Sequence, residues 1–297
     1  MAQWDDLRVF LAVARAESLS RAAPGLRMDA ATVGRRIARL ERDLGAALFV
    51  KSPQGYALTD LGERMRDRAA EAEASLSLAL DEARGAGAGD QAGMSGQIRI
   101  GAPDGVSNYL LPQVCAAIGA DNPGLEIQIL ALPRVVNLSK READLAITVS
   151  RPQAGRLTVK KISDYHLHLA APRDAEIRTL DDLQHRRIVG YIPDMIFDKE
   201  LDYLDELGAQ SVQLASNSVS VQAMALRHGA GVGIVHDFAL PFAPELKRVL
   251  TDSISLTRSL YLVRHTSDRS SERLTRFADR LSQGLRAEIA RLEALVA

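Results

Sequence analysis

The first residues that suggest chemistry are arginines between positions 35 and 42. Apolar residues recur around them at spacings that place one hydrophobic stripe on a helix and leave the arginines on other faces. The apolar residues are Val33, Ile37, Leu40 and Leu44, and the arginines are Arg35, Arg36, Arg39 and Arg42. A guanidinium group pairs with phosphates and with guanine edges. The segment therefore predicts either a helix that contacts duplex DNA or an amphipathic helix whose arginines face water and pair partly with Glu41 and Asp43.

A second set of polar residues follows predicted strands at 97–102, 125–130 and 143–148. Open α/β sheets bind ligands where strands end and helices begin. This rule selects candidate ligand-binding residues, which are Asp104, Gly105, Val106, Ser107, Pro133, Arg134, Thr148, Ser150, Asn217, Ser218 and Asp237. The alternative for Ser107, Asn217 and Ser218 is that they only cap helices. The acid Asp104 favours a polar or cationic ligand unless Arg134 or Arg151 offsets its charge.

Composition limits what these residues can do. The chain has 297 residues, enough for two or three domains, and its 37 basic and 38 acidic residues give a net charge of −1. Any affinity for DNA must therefore be local. Aromatic residues make up 4% of the chain and are not interleaved with basic runs, which argues against a stacking platform for single-stranded nucleic acid.

Compartment is predicted from the same composition. The sequence has no apolar run long enough to cross a membrane, and its N-terminal segment lacks the features of a secretory signal. Its single cysteine, Cys115, is consistent with a reducing compartment. We expect a cytoplasmic protein with no membrane partner.

Three short helices are predicted to position the arginines. Apolar spacing indicates a first helix over about 4–16, Ser18 or Ser20 can cap a second, and Asp29 can cap the third. Pro24 and Gly25 are expected to interrupt the second helix. Two helices joined by a tight connection form a helix-turn-helix, whose last helix fits the major groove of DNA.

A long amphipathic helix and a glycine-rich segment follow. Residues 61–84 carry an apolar seam that includes Met65, Ala69, Ala72 and Leu76, and predict a helix of about 36 Å that pairs with a second copy. The alternative is a helix that lies on its own domain. Residues 85–96 contain five glycines and are interpreted as a hinge.

The remaining residues, 97–297, alternate between strand and helix patterns. Helices are expected at 108–120, 197–208 and 218–228, and strands at 158–171, 188–191, 211–216 and 231–235. This alternation predicts a mostly parallel sheet covered on both faces.

The first sixty residues resemble the LysR family of bacterial transcriptional regulators. The resemblance is carried in order by FLAVA at 10–14, SLSRAA at 18–23, TVGRRI at 32–37, LERDLG at 40–45, ALFVK at 47–51 and GYALTDLG at 55–62. It implies a winged helix-turn-helix over 1–60 that binds operator DNA. The DNA-binding residues that it implies are Ser20, Arg21, Asp29, Ala30, Ala31, Thr32, Gly34, Arg35, Arg36, Arg39 and Lys51.

The chain departs from the family at the start of the third helix. Residues 27–31 replace the usual Gly-Val-Ser-Gln-Pro, and Gly34 replaces a common serine. Ala30 and Ala31 can touch a thymine methyl group but cannot make the bidentate hydrogen bonds of Gln or Asn. An unusual operator is therefore expected.

The resemblance also implies the architecture of the C-terminal part. In this family it is similar to periplasmic solute-binding proteins, with two α/β lobes, two crossover strands and an effector cleft between the lobes. The crossovers are expected near 158–171 and 256–265. The fold class is therefore a multi-domain α+β chain, and the partners are duplex DNA, a small-molecule effector and further copies of the chain in a homodimer or homotetramer.

Sequence motifs for enzymes are weak. Gly229, Gly231 and Gly233 follow a predicted helix and enter a strand, the reverse of the order in a nucleotide-binding loop. His166 and His168 share one strand face without acidic or thiol ligands at a matching metal spacing. We therefore expect no enzyme activity, no cofactor and no metal. The alternative is a solute-binding or enzymatic α/β protein with a helical N-terminal extension.

Overall fold

A computed structural model describes residues 4–52, 55–85, 93–131, 138, 142–204, 206–208 and 211–296. The chain divides into two compact units, Met1–Ala92 and Gly93–Ala297. Most of the predicted hinge, residues 86–92, lies outside the described residues, as do Pro133 and Arg134.

The first unit contains three short helices, a β-hairpin and a long helix. Their bounds are α1 Trp4–Ala16, α2 Leu19–Leu26, α3 Ala30–Leu44, β1 Phe49–Ser52, β2 Gly55–Leu58 and α4 Asp60–Gly85. The predicted helix at 4–16 and the cap at Asp29 are confirmed. The hairpin pairs Phe49 with Leu58 and Ser52 with Gly55.

Helix α2 is capped by Ser18, whose hydroxyl accepts the Arg21 N–H. The prediction that Pro24 and Gly25 interrupt this helix is wrong, because α2 continues through both to Leu26. Pro24 lies near the C-terminal end, where its missing N–H removes one helical bond only. The last turn is closed by Arg27 in the left-handed conformation, with a φ of 53° and its N–H donating to the Pro24 carbonyl at 3.1 Å.

The core of the first unit joins all three helices to the hairpin. Phe10 and Leu40 are fully buried, and the Phe49 ring lies 5.4 Å from that of Phe10, between centroids. Burying each such side chain stabilises the fold by roughly 1.5–3 kcal/mol. Gly62 lets α4 approach the hairpin, since a Cβ there would lie 2.1 Å from the Leu48 carbonyl oxygen.

The second unit is an α/β domain that continues to the last described residues. Its bounds are β3 Gly96–Ala102, α5 Asp104–Tyr109, α6 Leu111–Asp121, β4 Leu125–Ala131, β5 Leu145–Thr148, β6 Leu157–Pro172, β7 Val189–Gly190, β8 Leu214–Ala215, α7 Val219–Arg227, β9 Gly233–His236, β10 Leu246–Arg248, β11 Ser255–His265 and α8 Glu272–Glu293. The predicted helix at 218–228 and the two long strands near 158–171 and 256–265 are confirmed.

The largest sheet that the described residues form has seven strands and mixed directions. Strand β3 is parallel to β4 and β5, whereas β11 is antiparallel to β5 and β6, and β6 is antiparallel to β9 and β10. The prediction of a mostly parallel sheet is therefore wrong here. The reason is that the two long strands β6 and β11 run antiparallel to each other and pair with strands on both sides.

These two strands separate two lobes. We call residues 93–156 and 266–296 lobe 1, which contains β3 to β5, α5, α6 and α8, and residues 173–254 lobe 2, which contains β7 to β10 and α7. Lobe 1 buries Leu111, Phe277 and Leu281, and lobe 2 buries Leu226 and Phe238. One continuous hydrophobic core includes residues of both lobes.

Two predicted helices are corrected. The helix expected at 108–120 is broken, because α5 ends at Tyr109 and α6 begins at Leu111, with Pro112 in its first turn. The helix expected at 197–208 is not found in the described residues 197–204 and 206–208, where a short 3₁₀ turn spans Lys199–Leu201. The buried residues Leu201, Tyr203 and Leu207 are two and four positions apart, a spacing that does not sustain one helical face.

Candidate functional site

Helix α3 begins at an exposed turn with an ordered chain of hydrogen bonds. The Asp29 carboxylate accepts the Thr32 N–H at 2.7 Å and the Thr32 hydroxyl at 2.8 Å. Thr32 Oγ1 in turn accepts Arg35 Nη2 at 2.8 Å. The bonds from Thr32 lower the pKa of Asp29 and so favour its charged form. The turn thus fixes the direction of the exposed Arg35 guanidinium.

Arg36 and Arg39 are oriented differently, because both reach the carboxylate of Asp6 on α1. Arg39 Nε donates to Asp6 Oδ2 at 2.8 Å, and Arg36 Nη1 lies 3.5 Å from Asp6 Oδ1. Asp6 is 1% exposed, and its hydrogen bond raises the pKa of Arg39. These arginines tie α3 to α1. The acidic partner expected within α3, Glu41, instead accepts the backbone N–H groups of Leu48 and Phe49 at 2.8 and 3.1 Å.

The other predicted DNA-binding residues lie around this turn. Ser20 and Arg21 are exposed at the start of α2, Ala31 is exposed and Ala30 is half-buried. Gly34 faces inward, since a Cβ there would lie 3.2 Å from Leu19 Cδ1, and so it allows α2 and α3 to pack closely. Lys51 lies in β1, and its side chain is outside the described part of the chain.

The hairpin is attached to the turn between α1 and α2. The Tyr56 N–H donates to the Glu17 carbonyl at 3.0 Å. Gly55 has a φ of 136°, and a Cβ there would lie 2.5 Å from the same carbonyl oxygen, so glycine is required. This contact holds the hairpin beside the helices as a wing.

The apolar seam of α4 divides into two parts. Ala69 is buried in the core of the first unit, and Met65 packs against that core. The alternative prediction, a helix lying on its own domain, therefore holds for this end of α4. Farther along, Ala72 and Leu76 are exposed, with Leu76 at 44%.

In the second unit, Asp104 of lobe 1 contacts the start of α7 in lobe 2. Its Oδ2 accepts the Ser218 hydroxyl at 2.9 Å and the Ser220 N–H at 3.1 Å, and its Oδ1 accepts the Asn108 amide at 2.8 Å. The Asn108 amide also donates to the Ser220 hydroxyl at 2.7 Å. We call Asp104, Asn108, Ser218 and Ser220 the latch. A carboxylate at a helix N-terminus also gains from the helix dipole.

The residues after Asp104 are buried. Ser107 is 5% exposed and donates to the Ala102 carbonyl at 3.2 Å, which holds α5 to β3. Gly105 and Val106 are also buried, and a Cβ at Gly105 would be 3.5 Å from the His236 ring. His236 is fully enclosed, which lowers its pKa to about 4.

The remaining predicted ligand-binding residues do not all meet at the latch. Ser150 hydrogen-bonds Asp198 of lobe 2, and Thr148 Oγ1 donates to the Ser150 carbonyl at 2.7 Å. Asn217 precedes the latch residue Ser218 and is half-buried. Asp237 is enclosed elsewhere in lobe 2, where it lies 2.9 Å from His168 Nδ1 and accepts Arg248 Nη1 at 3.1 Å.

Two family models match this chain. One, described as a bacterial regulatory helix-turn-helix protein of the lysR family, matches residues 4–63. The other, described as the LysR substrate binding domain, matches residues 91–286. The chain belongs to the LysR family of transcriptional regulators. It is thus a regulator with a helix-turn-helix that binds DNA and a domain that binds a small-molecule effector.

Relatives of this LysR-type regulator agree with that assignment. The chain is 26% identical over 243 residues to the Mau operon transcriptional activator of Paracoccus denitrificans, covering 79% of this chain and 80% of that protein. It is 24% identical over 296 residues to a probable RuBisCO transcriptional regulator of Phaeodactylum tricornutum, covering 93% and 95%. The names of both relatives describe transcriptional regulators.

A solved structure shows the same fold over nearly the whole length. A full-length OxyR variant from Pseudomonas aeruginosa has a TM-score of 0.66 and 19% identity, and the match covers 96% of this chain and 98% of that one. This likeness shows that the two chains share the fold. None of the helices in the described residues could cross a membrane.

The structure adds residues that the sequence did not select. Tyr191, at the carboxyl end of β7, is half-buried, and its pKa is raised by burial and then by the nearby charge of Asp104. The same strand-end rule that selected Asp104 could have selected Tyr191. No such signal marked Asp6, Asn108, Ser220 or Asp198. Each of them has at least one partner that is distant in sequence.

Proposed function

We propose that this LysR-type regulator docks on duplex DNA through the exposed turn at the start of α3 and the start of α2. The observation that carries this proposal is the division among the arginines of α3. Arg35 projects from the Asp29–Thr32 turn into solvent, whereas Arg36 and Arg39 are held by Asp6. Arg35, Arg21, Ser20 and Ala31 form the contact surface, and Arg36 and Arg39 support it from behind.

An affinity experiment tests this division. Duplexes selected by the full chain from a random library would provide the operator, and its affinity would be titrated against salt. Arg35→Ala should weaken binding about tenfold or more, and should lower the salt slope by roughly 0.9 if the lost contact is a phosphate. Arg291→Ala, which removes an arginine of α8 paired with Glu288, is the matched control and should bind normally. Normal binding by Arg35→Ala would refute the docking surface.

The effector is proposed to act at the latch. Asp104 receives its hydrogen bonds from neutral groups, so a ligand that donates hydrogen bonds or carries a positive charge can replace them. Such a ligand changes operator affinity only if it binds two arrangements of the domain with different affinities. A tenfold change in operator affinity requires a coupling free energy of about 1.4 kcal/mol. A panel of small amines, polyols and carboxylates would test this. Amines or polyols should couple to operator binding, and Asp104→Asn should weaken them. Stronger coupling by carboxylates would contradict it.

The exposed end of α4 is proposed as the surface that pairs two copies. Leu76 and Ala72 are exposed apolar residues that continue the seam beyond the part packed on the core. Leu76→Asp would bury an unpaired carboxylate between two helices and should split the oligomer. Mass measurement in solution would detect this. Glu73→Ala on the same helix breaks the ion pair with Arg15 and is the control that should keep the oligomer.

We also propose that the chain is cytoplasmic and carries out no reaction of its own. The DNA-binding domain supports the cytoplasmic location. The similarity to transcriptional regulators supports the absence of a reaction. The match at residues 4–63 favours the regulator over a solute-binding or enzymatic protein with a helical extension. The purified chain would be incubated with latch ligands and assayed for products. Product formation in proportion to the concentration of the chain would contradict the absence of a reaction.

A further inference from the structure

The first unit contains a pocket formed by α1, the end of α2 and α4. It has a volume of about 540 Å³, and every residue that lines it belongs to this unit. The lining residues are Arg8, Ala12 and Arg15 of α1, Gly25 and Leu26 of α2, Arg27 directly after α2, and Glu73 of α4. Sites that hold small molecules have volumes of about 300–1,000 Å³. The pocket is therefore large enough for a small molecule.

This pocket lies on the side of α1 that faces away from α3. Arg8, Ala12 and Arg15 are four and three positions apart and so share one face of α1. Asp6, which binds two arginines of α3, lies about 150° around the helix axis from the centre of that face. The proposed DNA surface is at the starts of α2 and α3, whereas the pocket includes the end of α2. A ligand in the pocket would therefore leave the DNA surface free.

The pocket carries an excess of positive charge. Arg15 is paired with Glu73. Arg8 and Arg27 are exposed, and neither side chain has an ion pair or hydrogen bond within the part of the chain that the structure describes. Three arginines and one glutamate give the lining a charge of +2, in a chain whose net charge is −1. Like charges in one pocket repel each other, so an anion that binds there is stabilised by them.

The rest of the wall is apolar or already hydrogen-bonded. Ala12 and Leu26 contribute apolar side chains, and a Cβ at Gly25 would meet no atom within 4 Å. The carbonyl groups of residues 23 and 24, at the end of α2, accept the N–H groups of residues 28 and 27 at 3.2 and 3.1 Å. The guanidinium groups are therefore the polar groups that the pocket offers to a ligand.

We propose that this pocket binds a phosphorylated small molecule of nucleotide size, whose phosphate groups pair with Arg8 and Arg27. A guanidinium group can bind a phosphate through two parallel hydrogen bonds, and two such groups match a ligand that carries at least two negative charges. Arg15 contributes less, because Glu73 is already its partner. The uncharged part of the ligand lies against the apolar wall. This site depends on neither the latch nor the DNA surface, so each proposal can fail alone.

Calorimetry on the full chain without DNA tests the pocket directly. ADP without added divalent cations is the probe, and adenosine is the matched compound that lacks the phosphates. ADP should bind saturably at one site per chain, and raising the salt concentration from about 50 to about 200 mM should weaken it, because salt screens exposed charges. Adenosine should bind at least about tenfold more weakly. Absence of saturable ADP binding, or equal binding of both compounds, would overturn the proposal.

Four variants locate the site, with circular dichroism to verify that each is folded. Arg8→Gln should weaken ADP binding about fivefold. Arg27→Asn should do the same, and asparagine tolerates the left-handed conformation of residue 27. Glu73→Gln frees Arg15 and raises the charge of the lining, so it should strengthen ADP binding about threefold. Arg42→Gln removes an exposed arginine outside the pocket and should bind as wild type does.

The outcomes of these variants decide the proposal. Wild-type affinity in both Arg8→Gln and Arg27→Asn would show that ADP binds elsewhere, and weaker binding by Glu73→Gln would contradict the role of charge. ADP should also bind equally when operator DNA is present at saturation, and Arg8→Gln should keep the oligomer. Displacement of ADP by the operator would assign these arginines to the DNA backbone, and loss of the oligomer would assign the pocket to a second copy. Either result would overturn the proposal.

Discussion

Asp6 in the first unit and Asp104 in the second both join two helices, but they do so with different partners. Asp6 is 1% exposed and binds the guanidinium groups of Arg36 and Arg39. Asp104 is half-buried and accepts from a hydroxyl, a backbone N–H and an amide. Both carboxylates accept charge-assisted hydrogen bonds, but only Asp6 has cationic partners, whose opposite charge adds Coulomb attraction. The first contact is therefore a fixed support for α3, and the second is one that a ligand can replace.

The largest expected effect is on the support. Asp6→Ala leaves two guanidinium groups without their carboxylate and should lower the local stability of α3 by about 2 to 3 kcal/mol. We expect a loss of stability near the lower end of this range. The Arg36 and Arg39 side chains are 28% and 44% exposed, so water can solvate their guanidinium groups when the carboxylate is removed. Hydrogen exchange of α3 amides in the full chain measures this. Unchanged exchange would show that the ion pairs are incidental.

The second prediction concerns pH in the second unit. His236 stacks on Tyr165, and burial lowers its pKa from 6.5 to about 4. The unfolded state then binds a proton below pH 6.5 that the folded state does not, so stability is full above that pH and falls as pH drops toward 4. Acidification to about pH 5 should cost about 2 kcal/mol.

Exchange of β6 and β9 amides between neutral pH and about pH 5 would measure this loss after correction for the intrinsic exchange rate. His236→Phe keeps the stacking and removes the titration, so its stability should change much less with acid. If wild type and variant lost equal stability, another group would carry the pH dependence.

Local features of the fold were predictable from sequence. The cap at Asp29, the first helix and the long strands β6 and β11 depend on neighbouring residues or on a clear spacing. Gly229, with a φ of 76°, follows the end of α7, in agreement with the order of helix and strand predicted there. The direction of strand pairing was not predictable, because parallel and antiparallel neighbours bury the same apolar strands.

The residues of the candidate sites divide in the same way, into those that local sequence predicted and those that distant parts of the chain bring together. The sequence selected Arg35 because it lies off the apolar stripe of the third helix, and Asp104 because it follows a strand end. It could not assign Asp6 to Arg39, because thirty-three positions separate them and only the packing of α1 on α3 brings them together. Ser150 and Asp198 are likewise joined across the lobes. Whether the selected residues bind DNA and effector remains a prediction.

The smallest expected effect on stability is at the latch. Ser218→Ala removes one hydrogen bond that an uncharged hydroxyl donates to Asp104, and also the N-cap of α7. Exchange of α7 amides should show a loss of about 1 kcal/mol. The loss of stability caused by Asp6→Ala should be about twice the loss caused by Ser218→Ala. Equal losses would contradict the distinction between a fixed support and a replaceable contact.

Operator affinity of latch variants tests the central claim, that the contact at Asp104 controls DNA binding from the other unit. Ser218→Ala weakens the latch, and Ser259→Ala, which removes a serine hydroxyl donating to Asp164, is the matched control away from it. Without added ligand, Ser218→Ala should change operator affinity about threefold or more, and Ser259→Ala should bind as wild type does. A Ser218→Ala variant with unchanged operator affinity would contradict control through the latch.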